Sequence, residues 1–173
     1  ALGTAGERTV MIAGHHPLQT SSKHGGYWHW TDHIFPLRDA ASWLWVPIPG
    51  LGSLYPLSRM SGISNQDLSG SKYKELIAAY DSVFAAHTPL VYASGHEHIL
   101  EVLEWNSAQY LLVSGAGLWG HGDPVTARDQ TLYVREESGF MRVDLQSDGR
   151  VRLGVFVVDE EGNATEEYSH YLK

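Results

Sequence analysis

The sequence predicts a mixed α/β domain, and three observations predict it. Two short apolar runs each end in a Gly-His motif: residues 10–13 before Gly14-His15-His16-Pro17, and residues 90–94 before Gly95-His96-Glu97-His98. This is the pattern of strands delivering side chains to a sheet rim, where open α/β folds gather their ligands. A helical period over residues 71–87 lies between them, and beyond residue 98 apolar runs alternate with turn residues, so the C-terminal part reads as mainly antiparallel.

Each element follows in order. Residues 9–14 read as a buried strand. Residues 18–69 hold no helix or strand period, but they carry many Pro, Gly and Ser residues together with Trp28, Trp30, Trp43 and Trp45. Loops of that length in a compact domain are functional or disordered. This one is too aromatic for disorder, so an ordered cap over a site is expected. Between 71 and 87, Tyr73, Leu76, Ile77, Tyr80, Val83 and Phe84 recur at three- and four-residue spacing, with Pro89 just past the end. Strands are expected near 90–94, 99–105, 109–114, 131–136, 139–145 and 150–158, with turns at 106–108 and 147–149, and 165–173 can add a last one. No repeat or linker divides residues 1–173, so they read as part or all of one domain.

Composition narrows the function. Hydrophobic residues make up 43% and charged residues 18%, which is globular. Lys and Arg number 12 against 20 acidic residues, a net charge of −8, and no basic face offsets nucleic-acid phosphates. An enzyme of phosphate chemistry therefore needs bound cations. Without cysteine there are no thiolate metal sites and no disulfides. The apolar stretch 43–52 is too short, and too broken by Pro and Gly, to span a bilayer. It reads as a loop packed on its own domain, with a membrane-surface or partner contact as the other reading. The opening Ala1-Leu2-Gly3 is neither a secretory signal nor an initiator sequence, so a processed product or fragment is expected.

Neutral imidazole is a good ligand for zinc, iron and related ions. A single Gly-flanked histidine at a strand end is more often a polar cap, but His15, His96 and His98 together favour a metal site. His16 reads as structural beside Pro17, with a lesser claim to touch substrate. Lys23, His29, His33, His121 and His170 read as solvated or packed, and the tryptophans as the core of the loop. No aspartate stands at ligand spacing from a histidine.

Taken together, several motifs resemble a known family. Residues 9–18, ending Gly14-His15-His16-Pro17-Leu18, with Lys23-His24-Gly25, are similar to the Gly-His-x-Pro strand end and following His-Gly of calcineurin-like metallophosphoesterases, closest to the small purple acid phosphatases of the tartrate-resistant type. Gly95-His96-Glu97-His98 resembles their Gly-His-x-His motif, and Ser114-Gly115-Ala116-Gly117 the turn that follows. The resemblance implies half of a two-sheet α/β/β/α sandwich. It implies two metal ions (Fe, Zn or Mn), with His15 and His96 on one and His98 on the other. His24 would orient the substrate phosphate or protonate its leaving group, and Glu97 would turn away to the surface or a salt bridge. The implied reaction is hydrolysis of phosphate esters by a dinuclear centre, in a secreted or periplasmic protein.

The family's Asp-x-His, Gly-Asp and Gly-Asn-His motifs do not occur: Asp32-His33 is adjacent, and Gly162-Asn163 precedes Ala164. The expectation is therefore a C-terminal portion whose partner is the missing N-terminal half of its own domain, and which is inactive alone. The alternative is a non-enzymatic metal-binding or interaction module that kept the fold without turnover.

Overall fold

The computed structural model describes residues 2–39, 41, 43–118 and 122–173; His121 lies outside the described residues. Two sheets form the frame. The first contains β1 (Met11–Ala13), β2 (Val91–Ser94), β3 (Leu100–Glu104), β4 (Tyr110–Ser114) and β5 (Thr131–Arg135), in the order β1-β2-β4-β3-β5. β1, β2 and β4 run parallel, while β3 is antiparallel to both β4 and β5. The second sheet is an antiparallel meander of β6 (Gly139–Leu145), β7 (Val151–Val158) and β8 (Ala164–Tyr171). The fold is thus mixed α/β, with the expected antiparallel C-terminal part.

The alternation of side chains sets the layers. Val91, Leu100, Val102 and Leu112 face one way and pack with Val151, Leu153 and Val155 of the second sheet. Their neighbours Tyr92, Leu103 and Leu111 face the other way and meet Phe84, Ile77 and Tyr80 of α3 (Ser71–Ala86). The first sheet is therefore covered on both faces at β2 and β4, as their apolar runs demand, whereas β1, read from the sequence as a buried strand, leaves two of its three residues exposed at the sheet edge. Parallel β1 and β2 need a long crossover, and the chain between them supplies it through α3.

That crossover also holds what the absence of period concealed. Region 18–69 contains two short α-helices, α1 (Trp30–Ile34) and α2 (Leu54–Met60), and 3-10 turns at Lys23–Gly25, Pro36–Asp39 and Leu51–Ser53. Five and seven residues are too few to print a stripe. His29 begins α1: its ring accepts from the Thr31 N–H, and the Asp32 carboxylate accepts from the His29 N–H at 3.0 Å. His33 and His170 are hydrogen-bonded to Ser53 and Tyr110. The expected tryptophan core does not form throughout, because Trp30, Trp43 and Trp45 are exposed, Trp43 by 76%. Trp28 does pack, edge-on against Tyr55. Among the described residues no helix is long and apolar enough to cross a membrane.

Candidate metal centre

Because β1 and β2 are parallel and paired from Met11↔Val91 to Ala13↔Ala93, their carboxyl ends open at the same rim. The ladder continues past both strands: Gly14 N–H donates to the Ala93 carbonyl at 2.9 Å, and Gly95 N–H to the His15 carbonyl at 3.1 Å. Two tyrosines then hold the first arm. Tyr92 Oη donates to the His16 carbonyl at 2.9 Å, and buried Tyr73 Oη to the Pro17 carbonyl at 2.6 Å. The glycines are required by close approach. A Cβ on Gly14 would fall on the Tyr92 hydroxyl, and one on Gly115 would fall on the Glu97 carbonyl.

Four imidazoles gather there. Ring centroids lie 4.8 Å apart for His15 and His16, 5.2 Å for His15 and His96, 4.6 Å for His16 and His96, and 4.6 Å for His24 and His96. One nitrogen each of His15, His16 and His96 lies within 4.8 Å of the others. Among the described residues, buried His96 Nε2 has no hydrogen-bond partner. Burial, then the neighbouring His24, His16 and His15, push the His96 pKa down to about 4. Burial, with His15 and His24, also lowers that of His16. At neutral pH both imidazoles therefore hold free lone pairs, the form that binds metal.

His15 and His96 lie together, and His16, read from the sequence as structural, is the third imidazole beside them; His98, expected on the second of two ions, stands outside this group. The cause is local. His96 sits at φ 70°, in the left-handed region, so the strand-like alternation that would aim residues 96 and 98 together is broken at its first member. His98 instead faces Asp123: its N–H donates to Asp123 Oδ2 at 3.1 Å, and its ring Nδ1 lies 3.7 Å from the same oxygen, with the imidazole 42% exposed.

Glu97 corrects a second expectation. It is fully buried, neither at the surface nor in a salt bridge, with Ser22 and the His24 backbone beside its carboxylate. Burial first, and the charge of Asp123 second, push its pKa up to about 8. Glu101 is also fully buried, with its Oε2 accepting from the Ser21 N–H at 3.1 Å. Neither carboxylate joins the mutually close nitrogens of the histidine group.

His24 is held from below. Its Nδ1 lies 2.8 Å from Oδ1 of buried Asp67, whose two oxygens also accept from Arg59. Asp67 escaped sequence reasoning because 43 residues separate it from His24 and it belongs to no motif.

This donor set fits one ion of the zinc or iron class: three imidazoles, two of them kept neutral, one with an orphaned buried nitrogen. The three nitrogens lie within 4.8 Å of one another, against an edge of roughly 3.4 Å in a four-coordinate nitrogen site, and His15 is the exposed member. Among the described residues no carboxylate completes a second site within this group.

No family model matches the chain, and no curated protein matches it. Among solved structures it is similar to GAP50, the anchor in the inner membrane complex of Plasmodium, at 22% identity and a TM-score of 0.47. The match covers 61% of this chain and 31% of that one, so the chain spans about a third of that protein's length.

Proposed function

We propose that this chain supplies the histidine arm of a metal centre that hydrolyses phosphate esters. The observation that supports it best is the convergence of His15, His16 and His96, with His24 alongside, at the rim where two parallel strands end. A bound ion would supply Lewis acidity and a water of lowered pKa. The chain's own residues do the rest. His15, His16 and His96 offer lone pairs, and His24 offers an N–H toward the leaving oxygen. The net charge of −8 repels a phosphate ester, so affinity for one must be cation-dependent.

A dinuclear centre needs further ligands, and in this reading His98 with Asp123 would begin a second site. In this proposal the remaining carboxylates come from outside the described residues. The free edge of β1, which has only β2 beside it in the described sheet, is where another strand can add. The absence of a bridging carboxylate among the described residues of the histidine group favours the second reading, a metal-binding module without turnover.

Two measurements separate these readings: zinc and manganese binding by equilibrium dialysis, and hydrolysis of an aryl phosphate with and without chelator. The expected result is at least one bound ion, lost in His15→Ala and His96→Ala, together with chelator-sensitive hydrolysis once the missing ligands are supplied. Binding without hydrolysis in the longest native form selects the module. No binding at all overturns both.

A further inference from the structure

We propose that Asp67, clamped by Arg59, is a positioning residue that fixes the proton of His24 on Nδ1, leaving Nε2 as the nitrogen available to a substrate. The cap thereby builds part of the site. This rests on the reading of His24 as the group beside the leaving oxygen, although the proton's location can be tested without it.

Asp67 is 2% exposed, so its charge needs partners. It has them: Arg59 Nε donates to Oδ2 at 2.6 Å, Arg59 Nη2 to Oδ1 at 2.6 Å, and His24 Nδ1 stands 2.8 Å from Oδ1. The Arg59 pKa is raised, first by its hydrogen bonds to Asp67, so the guanidinium stays charged and donates to both carboxylate oxygens. An ionised carboxylate only accepts. The nitrogen facing it must therefore carry a hydrogen, because the other tautomer would set two acceptors against each other. Arg59 Nη2 also lies 3.1 Å from His24 Nδ1 and has a second hydrogen that would serve the opposite tautomer, but the carboxylate oxygen stands closer to Nδ1, at 2.8 Å, and it is this contact that selects Nδ1–H. Neutral His24 is left with its lone pair on Nε2, and protonated His24 with an N–H there.

The clamp is preorganised. Leu68 N–H donates to the His24 carbonyl at 2.9 Å, Gly70 N–H to the Asp67 carbonyl at 2.8 Å, and Ser69 Oγ to the Arg59 carbonyl at 3.0 Å. Arg59 is braced in turn by the Tyr55 hydroxyl at 2.9 Å. Gly62 and Gly70 let segment 62–70 wind tightly, since a Cβ on either would press on a carbonyl of the same segment. Beside the clamp opens a cavity of about 320 Å³ bordered by Lys23, His24, Tyr27, Arg59 and Met60, room for a leaving group next to the histidine it would meet.

The test is long-range 1H–15N correlation of the imidazoles in the metal-free chain at pH 8, on wild type, Asp67→Asn and Asp67→Glu. Wild type is expected to show His24 as the Nδ1–H tautomer. Asp67→Asn should shift it toward Nε2–H, and Asp67→Glu should restore Nδ1–H at least in part. Where hydrolysis is observed, Asp67→Asn should lower kcat on the order of tenfold to hundredfold, with KM and zinc affinity little changed. A wild-type His24 that is Nε2–H overturns the proposal, even if Asp67→Asn fails to fold. So does an Asp67→Asn spectrum identical to wild type. If the chain neither binds metal nor hydrolyses phosphate esters, the function falls while the tautomer experiment still decides the role of Asp67.

Discussion

Glu97 and His96 are neighbours whose titrations pull stability in opposite directions. The Glu97 carboxyl, near 8 in the fold against an ordinary 4.5, is more protonated in the native chain than in the unfolded one. Its contribution is intact below about 4.5 and lost as pH climbs through 8. His96, near 4 against 6.5, does the reverse: its contribution is present above 6.5 and lost as pH falls toward 4. Metal-free thermal midpoints should therefore decline on both sides of a maximum inside that window. Glu97→Gln should flatten the alkaline side, with a gain on the order of a few kcal/mol above pH 8, read by melts at pH 6 and pH 9. An unchanged alkaline slope would mean the carboxylate finds water. The Gly-His motifs made His15 and His96 legible because each follows directly on a strand. The burial of Glu97 was not, since it follows the left-handed turn at His96, a conformation no motif in the sequence marks.

At the scale of elements, the site depends on two strand-end glycines that admit no side chain. Gly115→Ala would drive a methyl into the Glu97 backbone and should cost about 1–3 kcal/mol in urea unfolding, with weaker zinc binding because the 95–98 turn is displaced. Gly117→Ala, with nothing within 4 Å among the described residues, should be close to neutral and serves as the control. α3 was readable because it repeats its period several times, and the strands because apolar runs stand between turn residues; the structure shifts each end by no more than two residues. α1 and α2 were not, being shorter than two or so turns and started by an unusual cap at His29. Asp67 and Arg59 lie in that same unreadable stretch. The part of the site built by the cap is visible only once the chain has folded back on His24.

For the whole molecule, the two sheets and α3 carry the stability. Leu153, wholly buried between the sheets, should cost about 2–5 kcal/mol as Leu153→Ala, with zinc affinity unchanged at temperatures where the fold persists. β1 is built differently. It is three residues long, two of them exposed, and only one neighbour holds it in the described sheet. Amide exchange should accordingly be fastest there among the parallel strands, since opening needs little apolar surface to be wetted. His15 and His16 ride on that strand, so its fraying would scatter half of the imidazole group while every bulk probe still reports a native protein. Heat should then silence ligand binding some degrees before it melts the core, and a tightly held cation, by stapling the frayed end to its neighbour, should bring the two temperatures together.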